Sequence, residues 1–531
     1  MKKNFLAIAL ILTALAGSAA ELYGWLLPTI SWPFTASRQL PILSCAADVC
    51  PELAVDGRVH WFGWVVMLGL GLLGIALLLR RKRSTRLSPD VLRKLRHFKS
   101  LKRGYGSLII LMILLGLAGM DQILVGKRAL AVYAPESGWH FPAFRRNVLP
   151  GSVFGFTGNE ALAETDYRRL QSKLGEPGGP LFVLMPPIPW APTTDAAPFP
   201  TELLPVRDGK LYSTDGTQLY DGQACRLYPN GDVHLRIRYR KGEPDGHVQG
   251  WSPDRREVYN ASWKKGKLIR EDYTGDNTLE RFLAQSTTDH YLIHYHPSPP
   301  LQGGHLLGTD SQGNDIAAVL FGGMQVNFKA VIFYLPVIYG IGLALGMLMG
   351  YRGGMFDLVT QRGIEILSQL PFLFIVMILS SFVPLDMRGM FVTLILMALF
   401  GWMPMTYMIR TATIKEKTRD YVAAARIMGA GSLHILSRHI LPNLTGIIVT
   451  LIPFSAAAVV LSLTSLDYLG FGLPETYPSW GRLLSDGLAK LSSPWIASAA
   501  FGALVTNLLL ITFIGEAVRE AISPHSHNHY E

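Results

Sequence analysis

Side chains able to do chemistry are sparse in this chain, and few of them cluster. His290, His294, His296 and His305 form the densest group of imidazoles. Their spacing is uneven and no cysteine accompanies them, so scattered surface histidines fit better than a metal site. His525, His527 and His529 alternate in a terminal tail that lacks any scaffold to hold an ion. Of the three cysteines, Cys45 and Cys50 have C-x4-C spacing, which allows either a small disulfide loop in an oxidising compartment or two unpaired thiols. Cys225 is left over and reads as a small buried residue. The Gly-Lys pairs at 126–127, 209–210 and 266–267 lack the upstream glycine and following Ser/Thr of a phosphate-binding loop. No catalytic residue, metal or directly bound cofactor is therefore expected, and the chain cannot itself hydrolyse ATP.

The most specific spacing belongs to small residues. Tyr421-Val-Ala423-Ala424-Ala425-Arg-Ile-Met-Gly429 continues to His439-Ile-Leu441-Pro442-Asn443. A run of alanines lets a short helix sit deep in a partner's groove. Gly429 permits a sharp turn between two short helices, and Pro442 is expected to stop the second. A second small-residue pattern, Gly342, Gly346 and Gly350, repeats every four residues on one helix face. It suits close helix packing in lipid, either within the subunit or against a partner. Pro336 is expected to break that helix, and Lys329 to snorkel from near its end. Asn507, in the middle of the last apolar run, reads as an interhelical hydrogen-bonding residue.

These residues must be positioned by membrane helices. Of 531 residues, 49% are hydrophobic and only 17% charged, which excludes a set of ordinary soluble domains. Runs long enough to cross a bilayer recur at 5–27, 61–79, 105–125, 326–350, 362–383, 390–409, 444–466 and 495–518, about eight spans. A cleaved signal peptide is the alternative for the first, since Ser18-Ala19-Ala20 precedes Glu21. The formal net charge is +10, and the segment Arg80–Gly104 carries all of it: eleven Lys/Arg against Asp90 alone. This is a topology signal and not a nucleic-acid footprint. With Lys2 and Lys3 before the first span, it places both termini and the loop 410–443 in the cytoplasm. The block also suits contact with anionic membrane lipid.

The expected organisation is an N-terminal hairpin (1–80), a basic linker (81–104), a first core helix (105–125), a periplasmic insertion (126–325), a core (326–520) and a cytoplasmic tail (521–531). The fold class is an all-α polytopic membrane protein with a large β-containing insertion. The insertion is loop-rich to Pro200, with Pro-Pro-Ile-Pro at 186–189, and β-rich over 201–274. There Asp215-Gly216, Asp221-Gly222, Asn230-Gly231 and Asp245-Gly246 are hairpin signals. A repeat of period 24 aligns Pro229 with Pro253, Tyr239 with Trp263, Lys241 with Lys265 and Gly242 with Gly266. It resembles the hairpin repeat of MORN proteins and serves either as a contact surface or, the preferred reading, as a structural insert.

The loop 421–443 resembles the EAA loop of binding-protein-dependent ABC importer permeases, in which EAA, three residues and Gly precede a Leu-Pro. The family's Glu is Ala423 here. Leu307-Gly308-Thr309-Asp310-Ser-Gln-Gly313-Asn314-Asp315 resembles the segment before the core of the oligopeptide, dipeptide and nickel branch, with Asn314 in place of Arg. There Thr309 or Asp310 can cap the following helix. Gly350-Tyr-Arg-Gly-Gly354 with Asp357 resembles the turn after that family's second span. Thr464-Ser-Leu-Asp467-Tyr-Leu-Gly470-Phe-Gly472-Leu-Pro474, Pro478-Ser-Trp480-Gly481 and Gly515-Glu-Ala-Val-Arg519 are similar to its YejE type, which imports microcin C and oligopeptides. Phe156–Leu174, containing Glu164-Thr-Asp-Tyr-Arg168, resembles an outer loop of the same type.

The resemblance implies a non-catalytic inner-membrane permease for peptides or peptide-like compounds. Its partners would be a YejB-like second permease, ABC ATPase subunits that bind ATP and Mg, and a periplasmic peptide-binding protein. It implies ATPase coupling through Tyr421, Ala423, Ala424, Ala425, Gly429, Leu441 and Pro442. It implies gating or binding-protein contact through Gly308, Thr309, Asp310, Gly313, Asp315, Asp467, Gly470, Gly472 and Trp480. A nickel or other small-solute importer, or a membrane-anchored periplasmic scaffold or sensor, is the alternative.

Overall fold

The computed structural model describes residues 2–22, 67–75 and 89–522, apart from short stretches at 136–137, 146–148, 157–163, 173, 175–179, 194, 196–200, 215, 229–232, 253–255, 276–277, 286–287, 294–295 and 385–386. Cys45, Cys50, most of the second expected span, His294 and the three tail histidines lie outside the described residues. Two compact units emerge. One joins Met1–Ala196 to Asn314–Glu531, and the other is Ala197–Gly313.

The first unit is helical. Helix α1 (Lys2–Leu22) packs against the helical stretch 67–75: a Cβ on Gly74 would meet Ile11, and one on Gly71 would meet Ala14. That register is antiparallel, as in a hairpin. A short basic helix, α2 (Pro89–Ser100), leads into α3 (Lys102–Gly119). The core continues with α4 (Ile316–Arg352), α5 (Gly354–Ser368), α6 (Phe372–Phe382), α7 (Met390–Gly401), α8 (Met403–Lys417), α9 (Asp420–Ile427), α10 (Leu441–Tyr468), α11 (Trp480–Ala489) and α12 (Pro494–Ile522).

Four helical stretches among the described residues are long and apolar enough to cross a membrane, and six if each bent pair counts as one span. They are α3, α4, the run Ser432–Tyr468 that ends in α10, and α12; the bent pairs are α5 with α6 and α7 with α8. The sequence leads one to expect straight spans at 362–383 and 390–409. Instead α5 and α6 meet at 79°, and α7 and α8 at 42°. Proline explains both bends. Pro371 caps α6 and keeps the residue before it out of the helical region, and Pro404 lies in the first turn of α8.

Pro336 behaves otherwise. Helix α4 runs unbroken through it for 37 residues, so the expected break is absent. Packing against α8 holds this helix together. A Cβ on Gly342 would lie 2.8 Å from Met405 Cγ, one on Gly346 2.7 Å from the Thr406 carbonyl, and one on Gly350 2.7 Å from Thr413 Cβ. The glycine face is filled within the subunit, and backbones approach as only glycine allows. Pro442 does not stop a helix either. It sits in the first turn of α10, where its missing N–H is tolerated, just after a π-helical turn at Ile435–Ile440.

Three short strands, β1 (Ala131–Ala134), β2 (Gly138–His140) and β3 (Phe182–Leu184), form a small antiparallel sheet in this unit, in the order β2-β1-β3.

The second unit contains β4 (Thr201–Leu204), β5 (Val206–Arg207), β6 (Lys210–Leu211), β7 (Gly222–Leu227), β8 (Val233–Arg240), β9 (Glu243–Trp251), β10 (Glu257–Lys264), β11 (Lys267–Tyr273) and β12 (His290–Ile293). Seven of these make one sheet, ordered β11-β10-β9-β8-β7-β12-β4. The sheet extends past residue 274 because β12 inserts between β7 and β4. Its core packs Leu235, Ile237 and Tyr239 of β8 against Ala224, Val248, Tyr259, Ala261 and Phe282.

Of the Asx-Gly pairs expected to turn, Gly216 lies in a turn between Tyr212 and Leu219, 230–231 lies outside the described residues, and the other two are not turns. Asp245-Gly246 lies inside β9 and Gly222 opens β7. Two-residue hairpin turns occur at Lys241-Gly242 (φ 52° and 76°) and Lys265-Gly266 (φ 50° and 72°), and also at Asp208-Gly209 between β5 and β6 (φ 51° and 72°). Both residues of each pair take positive φ, the pattern of a type I′ turn. The two Lys-Gly turns are equivalent positions of the period-24 repeat.

Candidate coupling element and gate loop

The small-residue element begins where α8 ends at Lys417. Helix α9 follows, with Asp420 in its first turn and Arg426 in its last, each placed to suit the helix dipole. Val422 and Ala425 face inward and are buried, whereas Ala423 and Ala424 are exposed. Tyr421 anchors the helix by donating from its hydroxyl to Glu416 Oε2 at 2.6 Å. Burial and that acceptor together push its phenol up to about 12. Arg426 and Lys417 flank the ring of Tyr351, with Arg426 Cζ 5.6 Å and Lys417 Nζ 5.7 Å from its centroid.

The chain leaves α9 through Gly429 at φ 82°, a conformation that favours glycine. A Cβ there would meet nothing within 4 Å, so backbone conformation and not space selects glycine. Beside it Ile427, Met428 and Leu433 are exposed by 86%, 79% and 78%, an apolar ridge that nothing among the described residues covers. Leu441 and Pro442 begin α10 on the far side of the turn.

An ion pair missed in the sequence supports this end of the molecule. Arg410 grips Asp357 with two parallel bonds, Nε to Oδ1 at 2.5 Å and Nη2 to Oδ2 at 2.6 Å. It ties α8 to α5 across 53 residues of sequence, with both side chains largely buried. No local spacing signals such a pair.

The loop 464–481 is built around Asp467, which is 6% exposed. Its Oδ1 accepts from the Leu473 N–H at 2.7 Å and its Oδ2 from Ser479 Oγ at 2.5 Å. Gly472 and Gly481 pack so closely on Asp467 that a Cβ at either would collide with it. Gly470 turns the chain at φ 81°. Trp480 donates from Nε1 to the Leu320 carbonyl at 2.8 Å and lies against Gly323, which docks the loop on α4. Thr193 donates to the Thr476 carbonyl at 3.2 Å, so the segment before Ala196 is held to the same loop.

Glu164 and Arg168 hold that segment together. Burial opposes ionisation of Glu164, but Arg128 (3.0 Å) and Lys127 (2.8 Å) outweigh it and keep the carboxyl below its ordinary range. Arg168 clamps Asp195, with Nη2 2.7 Å from Oδ1, and stacks 3.9 Å above the Trp190 ring.

The remaining expected site residues divide between the units. Asp315, and not Thr309 or Asp310, caps α4 by accepting from the Ala318 N–H at 2.8 Å. Thr309 is buried within the second unit, its hydroxyl 2.9 Å from His296 Nδ1 and accepting from the Ser298 N–H. Gly308 and Gly313 there take φ of 80° and 87°. No metal-ligating cluster occurs among the described residues. Lys329 does not snorkel; at 1% exposure it is among the largest fully buried side chains. Asn507 is buried too, but its Oδ1 has no partner among the described residues, so it makes no interhelical bond through that atom.

Where the two bends face α10, a cavity of about 540 Å³ opens. Ser368 and Leu370 line it from the first bend, Gly401 and Pro404 from the second, and Ser455 and Ser462 from α10. None of its lining side chains is charged.

Residues 342–526, which include α9 and the Asp467 loop, match the family described as binding-protein-dependent transport system inner membrane component. The chain is 33% identical over 228 residues to the oligopeptide transport system permease protein OppC of Escherichia coli, covering 43% of this chain and 74% of that protein. The chain belongs to this permease family. It is also 38% identical over 221 residues to the peptidoglycan transport system permease protein YejE of Agrobacterium fabrum, covering 41% of this chain and 56% of that one. Against the inner membrane ABC transporter permease protein YejE of Escherichia coli the identity is 38% over 228 residues, covering 43% and 66%. The chain thus spans a little over half of the first YejE relative and about two thirds of the second. Fold class is settled at the level of a helical membrane permease core with four to six apolar spans and a separate β-sheet unit.

Proposed function

We propose that this chain is the non-catalytic permease subunit of an ATP-driven importer for oligopeptides or peptide-like compounds, including peptide-bearing cell-wall fragments. The observation that carries the reading is the docking geometry of α9. Its inner face is buried in the subunit while Ala423, Ala424 and the ridge Ile427, Met428 and Leu433 stand exposed on either side of the turn at Gly429. A short helix held this way transmits force when a partner moves against it. The relatives' names, oligopeptide and peptidoglycan transport, give the substrate class.

In this reading the partners are ABC ATPase subunits holding ATP and Mg, a YejB-like second permease and a periplasmic peptide-binding protein. The basic block 80–104 and both termini lie in the cytoplasm. ATPase closure presses on Tyr421–Gly429, Arg410–Asp357 passes the displacement to α5 and α8, and their bends open or close the uncharged cavity. The Asp467 loop and the segment Gly308–Asp315 receive the loaded binding protein. The MORN-like hairpins form a structural insert on the outer side.

Affinity purification of the tagged chain from its native membrane tests the assembly. Recovery of an ABC ATPase and a second permease is expected. Envelope proteins without an ATPase would instead support a scaffold. Peptide uptake in a deletion strain, set beside nickel uptake, tests the substrate class.

A further inference from the structure

The basic block does more than set orientation. Helix α2 is joined to the membrane-spanning α3 by the single residue Leu101. Phe98 turns back onto Tyr105, their rings 6.4 Å apart and edge-on at 86°. A Cβ on Gly104 would collide with Ala517, so the start of α3 is pressed against α12, and α2 itself also packs on α12. Helix α2 therefore cannot drift far from the plane where α3 enters the membrane.

Its faces differ sharply. Val91, Leu92 and Leu95 are 46%, 37% and 47% exposed, and with the half-buried Phe98 they share one side of the helix. Arg93, Lys94 and Arg96 are exposed around the remaining circumference, and Lys99, at the C-terminal end of the apolar side, extends its long stem beyond Leu95. Among the described residues, nothing covers the apolar stripe fully. A helix with apolar residues on one side and cations on the other, tethered at a span's entry, has the character of an interfacial helix.

We propose that α2 lies in the membrane interface and binds an anionic phospholipid leaflet. Val91, Leu92 and Leu95 enter the acyl boundary while Arg93, Lys94, Arg96 and Lys99 hold phosphate-bearing headgroups. The occupant follows from charge complementarity and from the one-residue tether. The consequence is structural: lipid charge fixes the junction Leu101–Tyr105 against α12. The inference rests on the membrane-spanning reading of α3 and not on the substrate.

The test uses the full-length chain with its three cysteines changed to serine. Leu95→Cys or Lys94→Cys then carries a fluorophore, in nanodiscs of phosphatidylcholine alone or mixed with phosphatidylglycerol. Brominated acyl chains should quench the label at 95 in the anionic discs and leave the label at 94 unquenched. Adding Arg93→Gln, Arg96→Gln and Lys99→Gln, or raising the salt, should abolish the difference between the two lipid mixtures. Equal quenching at 94 and 95 in every mixture would overturn the interfacial placement. Quenching at 95 that ignores both lipid charge and neutralisation would overturn headgroup recognition. On the unmodified chain, co-purified phospholipid should be enriched in anionic species, and the neutralised variant should lose that enrichment. Equal lipid composition in the two would contradict the proposal.

Discussion

Asp467 holds two ends of one loop through two acceptor oxygens, and the glycines beside it leave no room for a methyl group. Gly472→Ala should therefore displace the carboxylate from the Leu473 amide and Ser479. The expected loss is about 1–3 kcal/mol, typical of overpacking, read as a lower Tm of the detergent-purified protein. An unchanged Tm would mean that the loop relaxes freely. Asp467 and Gly472 stand out in the sequence as parts of a motif, but the carboxylate's role does not, because its partners lie six and twelve residues away. Arg410 and Asp357 are illegible for the same reason, with 53 residues between them. The burial of Lys329 is hidden differently. Its neighbours along α4 mix apolar residues with the buried Gln325 and Asn327, and distance to a span end says nothing about which face meets protein.

At the scale of elements, the β unit is legible as hairpins, but two of its tight turns carry no Asn-Gly or Asp-Gly signal. Two-residue turns need positive φ at both positions, and Asn-Gly or Asp-Gly is the familiar solution. This chain uses Lys-Gly at equivalent places of a repeat, so lysine adopts φ 52° and 50°. Lys241→Asn should relieve that strain and stabilise the hairpin β8–β9 by about 0.5–1 kcal/mol, measured as slower hydrogen exchange of its amides; unchanged exchange would contradict this. Burial lowers the pKa of two imidazoles in the same unit. His234 lies between Tyr228 and Phe282, ring centroids 4.4 and 4.3 Å away, and burial first, then Arg226, lowers its pKa from 6.5 to about 4. His290 is pushed to about 4 by the same two causes. The unfolded unit thus takes up protons before the folded one as pH falls. Stability is fully present above about 6.5 and is lost as pH drops toward 4. Exchange protection across β7–β12 in the full chain, corrected for intrinsic rates, should fall over that window, and flat protection would contradict the burial argument.

Across the whole molecule, the positions of the apolar helices from 105 onward were legible because hydropathy encodes them, and local spacing marked the alanine-glycine element. The bends were not. Pro371 and Pro404 bend the pairs α5–α6 and α7–α8, while Pro336 leaves α4 unbroken, and the difference lies in the glycine face that clamps α4 to α8. The assembled picture is a permease in which two bent spans enclose an uncharged cavity and an exposed turn awaits a moving partner. Its central claim concerns that turn. At Gly429 a side chain would meet nothing within 4 Å, so Gly429→Asp leaves the core packing alone. It strains one residue at φ 82° and plants a charge beside Ile427 and Met428. The most direct measurement is peptide uptake and ATP hydrolysis by the reconstituted transporter carrying this variant. The account predicts that membrane insertion is retained while uptake and substrate-stimulated hydrolysis are lost together; uptake at the wild-type rate would contradict it.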